Sequence, residues 1–302
     1  MRHFIDLRDF SSDTLQMMLD HAQAMKQERR AGTGHEQPLV GKTVAMIFEK
    51  PSTRTRVSFE VGIVQLGGTP LVLSAQDLQL GRGESIEDTA RVLSRFVDAI
   101  MIRCFDHDMV LLMAECASVP VINALTNRSH PCQLMADLQT MIEHHGPLIG
   151  QSVAWLGDGN NVATSWVEAA SLFGFQLRMA CPHGCAPPVE LLDWARENGG
   201  DIILTEDVTE AVDQVQTVVT DVWVSMGHED GNQQQQLAAY QVNEDIMKRA
   251  AGDAIFMHCL PARRGLEVSA AVIDGPQSAV FDEAENRLHA QKAILAWCFA
   301  SK

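Results

Sequence analysis

The sequence is poor in positive charge. Its 302 residues include 23 Lys and Arg against 39 Asp and Glu, which gives a formal net charge of −16 at pH 7. A surplus of negative charge repels phosphate backbones over the whole surface. The composition therefore argues against a nucleic-acid partner, and any cluster of basic residues needs a specific explanation.

The sequence also lacks long hydrophobic runs and a disulfide framework. Its longest apolar stretches, such as residues 109–114, are far shorter than the roughly 20 residues of a membrane span. Seven Cys, an odd number in a chain this large, favour reduced thiols. The first ten residues contain Asp6 and Asp9 and no apolar core of a signal peptide. We therefore expect a cytoplasmic protein with no membrane partner.

Two ligand-binding motifs are incomplete. Cys181 and Cys185 have no second pair at zinc spacing and lie among prolines that predict a loop, so no metal site is expected. Gly157 and Gly159 follow a predicted strand as in a dinucleotide fold, but Val162 occupies the third glycine position. No acidic residue ends the next strand to hold a ribose. We therefore expect neither a metal nor a nicotinamide cofactor.

Short apolar runs alternate with helical patterns along the whole chain, which predicts parallel sheets covered by helices on both faces. The strands are predicted at 43–48, 70–74, 99–103, 119–124, 152–156, 176–180, 218–224 and 254–258, and the helices at 12–30, 53–66, 85–96, 109–117, 132–145, 162–173, 189–198 and 286–299. Gly146 and Pro147 end one helix, so we predict two α/β domains, 1–146 and 147–302. The last helix can pack on either domain. The run Gln233 to Gln236 predicts a solvated loop.

The segment Ser52-Thr53-Arg54-Thr55-Arg56 lies between a predicted strand and a predicted helix. Free backbone N–H groups at a helix N-terminus, hydroxyl donors and arginine together make an anion site. The alternative is a Ser N-cap followed by solvated arginines, which is common in any helix. Taken alone, the segment leaves both interpretations open.

Further polar residues follow neighbouring strands. Arg103 ends one predicted strand, and His130 and Gln133 follow another, so all three should lie at the carboxyl edge of one parallel sheet, where ligands bind. This convergence favours a site for a small phosphate ligand in the first domain. In the second domain, Asp221 and Cys259 each follow a strand, and a carboxylate beside a thiol suits a substrate amine; the alternative for Cys259 is an inert buried thiol.

The sequence contains several motifs that resemble those of the ornithine carbamoyltransferases, in the aspartate/ornithine carbamoyltransferase superfamily. The resemblance spans nearly the whole chain. It rests on S-T-R-T-R at 52–56, H-P-C-Q at 130–133, G-D-G-N-N at 157–161, D-V-W-V-S-M-G at 221–227 and H-C-L-P at 258–261, with Gln79 in the loop 77–84 and Arg287 in A-E-N-R.

The resemblance implies transfer of the carbamoyl group of carbamoyl phosphate to the δ-amine of L-ornithine, giving L-citrulline and phosphate without a cofactor. It implies a homotrimer or a multiple of one, acting in arginine biosynthesis or, in reverse, in the arginine deiminase pathway. By similarity, carbamoyl phosphate is bound by Ser52, Thr53, Arg54, Thr55, Gln79, Arg103, His130, Gln133, Cys259, Leu260 and Arg287. Within that set the catalytic residues are Arg103, His130, Cys259 and Arg287, and ornithine is bound by Asn161, Asp221, Ser225 and Met226. Gln79 can come from a neighbouring subunit.

Related activities fit the sequence less well. Aspartate carbamoyltransferases usually carry a lysine in the loop that here reads Gln79-Leu80-Gly81-Arg82-Gly83. Enzymes for acylated ornithine or putrescine differ at the segment 225–227, which here has the ornithine form. A non-catalytic anion-binding protein and a dehydrogenase are the alternatives from other classes. The glutamine-rich stretch after Gly231 departs from the family pattern, where this loop often carries more charge.

Overall fold

The computed structural model describes residues 1–34, 36–74, 83–223 and 231–300, without the side chains of 231–233. The strands are β1 (Thr43–Phe48), β2 (Thr69–Ser74), β3 (Ala99–Arg103), β4 (Val121–Leu125), β5 (Ser152–Leu156), β6 (Gln176–Ala180), β7 (Ile202–Thr205), β8 (Thr217–Thr220) and β9 (Ile255–Met257). The helices are α1 (Ser12–Ala31), α2 (Thr53–Gln65), α3 (Ile86–Leu93), α4 (His107–Cys116), α5 (Pro131–His145), α6 (Asn161–Phe173), α7 (Val189–Glu197), α8 (Val208–Val212), α9 (Gly231–Leu237), α10 (Glu244–Met247), α11 (Ala270–Ile273) and α12 (Val280–Phe299).

The strands form two parallel sheets. One has four strands in the order β2-β1-β3-β4, and the other has five in the order β7-β6-β5-β8-β9. Several strands are short, buried runs: Val44 to Ile47 of β1 and all of β4 and β8 are buried. Buried strands of this kind need helices on both faces, as the sequence predicts. The predicted two-domain α/β fold class is confirmed.

The chain divides into two compact units. The first comprises Met1–Ala136 and Asn286–Lys302, and the second comprises Asp137–Glu285. The core of the first unit includes Ile47, Ile102 and Val110, and the core of the second includes Leu156, Val218 and Phe256. Each unit therefore buries its own sheet. The predicted domain boundary after residue 146 stays a prediction.

Local sequence signals set the helix ends. The Ser11, Ser52 and Ser85 side chains each accept a hydrogen bond from a backbone N–H of the first helical turn, which caps α1, α2 and α3. Gly32 and Gly174 end α1 and α6 with φ of 68° and 70°, in the left-handed region that glycine adopts without a Cβ clash. These caps explain why the helices begin close to their predicted positions.

The structure differs from the sequence prediction at several places, and it contains one strand, β7, that was not predicted. The prediction of a solvated loop at Gln233 to Gln236 is wrong, because these residues lie in α9. Glutamine is a good helix former, and no Gly or Pro interrupts the segment before the buried Leu237. The predicted strand 218–224 is shorter, since β8 ends at Thr220. The last helix begins at Val280, six residues before its predicted start.

Among the described residues, no helix combines the length and apolar composition needed to cross a bilayer. All seven cysteines are free thiols.

Candidate active site

The first candidate site lies where β1 leads into α2. Ser52 has extended backbone (φ −160°), and its Oγ accepts a hydrogen bond from the Thr55 N–H at 3.2 Å. No acidic residue occupies the first turn of α2. The positive end of the helix dipole and the remaining N–H groups of this turn are therefore not offset by a local carboxylate, which suits an anion.

Four predicted site residues from four elements meet beside this turn. The buried Thr55 Oγ1 accepts hydrogen bonds from Arg103 Nη1 at 3.1 Å and from Arg287 Nη2 at 2.7 Å. Arg287 Nη1 also donates to Gln133 Oε1 at 2.5 Å. We call Thr55, Arg103, Gln133 and Arg287 the Thr55 cluster. It brings two guanidinium groups to the N-terminal end of α2, as an anion site requires.

His130 is buried near this cluster. Burial lowers its pKa well below the usual value for histidine, and the positive charges of Arg287 and Arg103 lower the pKa further. The imidazole is therefore neutral at pH 7. A neutral ring with one N–H can donate to an oxygen without adding a third cation to the site.

The two arginines of the S-T-R-T-R segment differ in environment. Arg54 is half-buried, whereas Arg56 is exposed and its Nε lies 3.6 Å from the Glu60 carboxylate on the next turn of α2. Arg56 is thus the solvated arginine of the alternative interpretation, and Arg54 remains the candidate ligand.

Lys50 is a nearby cation that the sequence reasoning missed. Its Nζ donates to Asn127 Oδ1 at 2.6 Å and lies 4.0 Å from the centroid of the Phe105 ring. Burial lowers the Lys50 pKa, and the charge of Arg103 lowers it further. The signal was available, since Lys50 immediately precedes Pro51 and the S-T-R-T-R segment.

The second candidate site, in the second unit, is centred on Asp221. Asn160 caps α6 through Oδ1, which accepts from the Val162 and Ala163 N–H groups, and its Nδ2 donates to Asp221 Oδ2 at 2.9 Å. Cys259 Sγ donates to Asp221 Oδ1 at 3.2 Å. We call Asn160, Asp221 and Cys259 the Asp221 cluster. It holds one carboxylate in a fixed orientation at the end of β8.

The Cys259 thiol is protonated in this setting. Burial raises the Cys259 pKa well above its usual value, and the negative charge of Asp221 raises it further. Asp158 behaves similarly: burial raises the pKa of its carboxyl group, with Asp221 adding to the effect. Cys259 is thus a hydrogen-bond donor and not a thiolate nucleophile, and a cationic ligand would relieve the excess of acidic groups.

The backbone after Cys259 has an unusual conformation. Leu260 has φ of 56°, which a branched side chain rarely adopts, and its N–H donates to His258 Nδ1 at 2.9 Å. The His258 N–H in turn donates to Glu283 Oε2 at 2.8 Å. These bonds hold the Cys259-Leu260 peptide in place. Asp221, His258 and Cys259 also offer ligand atoms within 4.8 Å of one another, but His258 Nδ1 accepts from Leu260 and the thiol donates to Asp221, so these donor atoms are already engaged.

Four predicted site residues remain to be placed. Gln79, Ser225 and Met226 lie outside the described residues. Asn161 is the first residue of α6, and its neighbour Asn160 is the residue that bonds Asp221. A cavity of about 410 Å³ opens elsewhere in the second unit, where its lining includes Arg178, Thr205 and Arg249, and none of its lining residues was a predicted site residue.

Comparison with known proteins agrees with the motifs. Residues 2–143 match the family model described as aspartate/ornithine carbamoyltransferase, carbamoyl-P binding domain, and residues 149–298 match the Asp/Orn binding domain of the same family. An ornithine carbamoyltransferase of Nitrobacter winogradskyi is 57% identical over 301 residues, covering 99% of this chain and 98% of that protein.

Solved structures are similar over the same length. The ornithine carbamoyltransferase from Pyrococcus furiosus is 49% identical with a TM-score of 0.94, covering 98% of this chain and 96% of that one. The ornithine carbamoyltransferase from Burkholderia thailandensis is 45% identical with a TM-score of 0.91, covering 99% of both chains. The chain therefore belongs to the aspartate/ornithine carbamoyltransferase family, among its ornithine carbamoyltransferases.

Proposed function

We propose that the protein transfers the carbamoyl group of carbamoyl phosphate to the δ-amine of L-ornithine, giving L-citrulline and phosphate. The observation that carries this proposal is the Thr55 cluster, in which two arginines share one hydroxyl at the N-terminal end of α2. The membership of the chain among ornithine carbamoyltransferases supports the choice of substrates.

The phosphate group is assigned to the first turn of α2. Backbone N–H groups at a helix N-terminus and the hydroxyls of Ser52, Thr53 and Thr55 supply neutral donors for its oxygens. The half-buried guanidinium of Arg54 adds charge-assisted hydrogen bonds. The same groups stabilise the phosphate that leaves, because its negative charge grows as the C–O bond breaks.

The carbamoyl oxygen is assigned to Arg103, Arg287 and His130. Attack on the carbonyl carbon places negative charge on this oxygen, and donors that are already oriented stabilise that charge without reorganising. The bonds from Thr55 and Gln133 hold the guanidinium groups in place before substrate arrives. By analogy with other oxyanion sites, each donor contributes about 3 kcal/mol to transition-state stabilisation. We assign Gln133, Cys259 and Leu260 to the carbamoyl end as well, on the family motifs.

Ornithine is assigned to the Asp221 cluster with Asn161, Ser225 and Met226. The Asp221 carboxylate can accept from an ammonium group of the amino acid, and the bonds from Asn160 and Cys259 fix its orientation. The attacking δ-amine must be neutral, so it loses one proton before the C–N bond forms and a second as citrulline is completed. Nucleophilic attack by Cys259 itself is not part of this scheme, since its thiol is protonated.

The test of the reaction is a mass balance with purified protein. Carbamoyl phosphate and L-ornithine should give citrulline and phosphate in a 1:1 ratio, and each substrate alone should give no citrulline. The same assay with putrescine, aspartate and N-acetylornithine tests the amine acceptor. A higher kcat/KM for any of these three than for ornithine would contradict the proposed substrate.

We propose that the chain forms a homotrimer, or a multiple of one, through exposed apolar side chains of the first unit. Val57, Val61 and Val64 form a stripe on one face of α2 and are 52%, 38% and 57% exposed. The neighbouring β2 is an edge strand of its sheet. We assign this face to a second copy of the chain, from which Gln79 can reach a neighbouring site.

Sedimentation velocity should therefore give a trimer or a larger multiple. Val57→Glu combined with Val64→Glu should lower the oligomer mass, whereas Val189→Glu, at a similarly exposed valine of the second unit, should not. A monomer in the wild-type protein would contradict the proposed assembly.

We also propose a cytoplasmic location and a role in arginine biosynthesis. Seven free thiols suit a reducing compartment. The proposed domains are residues 1–146 for carbamoyl phosphate and 147–302 for ornithine, which the matches to 2–143 and 149–298 support. Deletion of the gene should produce a requirement for citrulline or arginine in minimal medium, and growth of the deletion strain without either would contradict the biosynthetic role.

A further inference from the structure

The N-terminal segment runs alongside β4 at the edge of the first sheet. The buried Phe4 donates its N–H to the Val121 carbonyl at 2.9 Å and accepts from the Asn123 N–H at 2.8 Å, in a parallel bridge with Ile122. The segment thus extends the sheet by a short stretch of backbone. This pairing brings Asp6 to the end of β4, where the chain turns toward α5.

Asp6 is a buried carboxylate with three side-chain partners, Ser129, His107 and, at 3.9 Å from Oδ2, Arg8 Nη2. Its side chain is 4% exposed, its Oδ1 accepts from Ser129 Oγ at 2.5 Å, and its Oδ2 lies 3.3 Å from His107 Nε2. Burial alone would raise the Asp6 pKa, but the hydrogen bonds from His107 and Ser129 outweigh it and lower the pKa below its usual value. Asp6 is therefore ionised at neutral pH.

The same residues organise the turn between β4 and α5. Thr126 N–H donates to the Ser129 carbonyl at 3.0 Å, and Thr126 Oγ1 accepts from the N–H groups of Arg128 and Ser129. Thr126 Oγ1 also lies 3.0 Å from His107 Nδ1. This oxygen already accepts two N–H groups, so its O–H is the proton available to Nδ1, and the contact joins the His107 ring to the turn.

Ser129 is the residue immediately before His130. Its hydroxyl accepts from Asn123 Nδ2 at 3.0 Å and donates to Asp6, so both hydrogen-bonding functions of the side chain are engaged in the interior. The backbone that carries His130 is thus held on one side by the turn and on the other by the carboxylate of the N-terminal segment. None of the motifs quoted above includes Asp6.

We infer that Asp6 is a positioning residue for His130, acting through Ser129. The inference rests on the proposed role of His130 at the carbamoyl oxygen. A donor in an oxyanion site must lie within a few tenths of an ångström of its best position, and a displacement of about 1 Å can cost about 100-fold in rate. Removing the Asp6 carboxylate leaves the Ser129 hydroxyl bonded only to Asn123 Nδ2 and lets the His130 backbone shift.

The experiment compares Asp6→Ala, Asp6→Asn and Ser129→Ala with Asp13→Ala, an exposed acidic residue in the first turn of α1. We expect Asp6→Ala and Ser129→Ala to lower kcat about 10- to 100-fold, with less than a threefold change in the KM for ornithine. Asp6→Asn keeps an oxygen that accepts from Ser129 and should restore most of kcat. Asp13→Ala should match the wild type.

A double-mutant cycle separates positioning from general stability. In a His130→Ala background, adding Asp6→Ala should lower kcat by less than twofold, because the residue that Asp6 positions is already gone. An equal loss of kcat with and without His130 would overturn the inference, as would wild-type kcat in Ser129→Ala. If Asp6→Ala does not fold, Ser129→Ala and Asp6→Asn decide the question. If the wild type forms no citrulline, the proposed function is contradicted, whereas the contact between Asp6 and Ser129 is not.

Discussion

Thr55→Val is the sharpest test of the Thr55 cluster. Valine has nearly the shape of threonine but lacks the oxygen that accepts from both Arg103 and Arg287. Hydrogen bonds to charged groups contribute about 1.5–3 kcal/mol each, and a buried donor left without its acceptor carries the full cost of desolvation. Because the two bonds share one oxygen and one environment, we expect the free energy of unfolding to fall by about 3–5 kcal/mol.

Thr55→Ser is the matched control. Serine keeps the hydroxyl and loses one buried methyl group, which costs about 1 kcal/mol. Urea unfolding of the ligand-free proteins, followed by circular dichroism at one fixed protein concentration, should show a lower midpoint for Thr55→Val than for Thr55→Ser. Steady-state kinetics should show the same order in kcat/KM for carbamoyl phosphate. Equal unfolding midpoints for the two variants would refute the reasoning, since they would mean that the shared oxygen contributes no net stability.

Three further outcomes test the separate parts of the site. Arg54→Ala should lower kcat/KM for carbamoyl phosphate at least 100-fold. Arg56 is paired with Glu60 at the surface, so Arg56→Ala should lower the same kcat/KM less than threefold. Similar losses of kcat/KM in the Arg54 and Arg56 variants would show that the phosphate site lies elsewhere. Asp221→Asn should weaken binding of ornithine or norvaline at least tenfold in calorimetry while leaving phosphate affinity unchanged, and normal amino-acid affinity would make Asp221 a structural residue. Because the pKa of His130 is lowered in the folded protein, below about pH 6.5 the unfolded chain binds a proton that the folded chain does not. The free energy of unfolding then falls by about 1.4 kcal/mol for each unit by which the pH is lowered. Between pH 7.5 and 5.5 the wild type should therefore lose about 1.4 kcal/mol more than His130→Asn in urea unfolding, and parallel losses would show that His130 is not held neutral.

Much of the fold follows from local patterns. The strands β1, β3, β5 and β6 match their predicted ranges to the residue, because β1, β3 and β5 are mainly apolar runs bounded by polar or turn-forming residues and β6 alternates polar and apolar side chains. Ser52 was predictable as a cap from the residue type that precedes the helix. The helix α9 was not, because a run of glutamine fits a solvated loop as well as a helix until its packing is known.

The candidate site was predictable as a set of residues but not as a set of contacts. The carboxyl-edge rule placed Arg103 and His130 together, since both follow strands of one sheet. The bond from Arg287 to Thr55 joins residues 232 positions apart, and no local pattern encodes such a pairing. In the sequence Asp6 argues only against a signal peptide, because a single acidic residue gives no indication of its partner. Gln79, Ser225 and Met226 stay predictions.

The composition of the first unit has a consequence for synthesis on the ribosome. Met1–Ala136 are made first, but the unit also requires residues from Asn286 onward, including the buried Ile294 and Leu295. About 150 residues of the second unit are translated in between, which takes roughly 8–30 s at 5–20 residues per second. During that interval the nascent chain contains Thr55, Arg103 and Gln133 but not Arg287. Carbamoyl phosphate therefore cannot stabilise the incomplete first unit through the whole Thr55 cluster. The second unit, Asp137–Glu285, is continuous in sequence and is complete on the ribosome before the first.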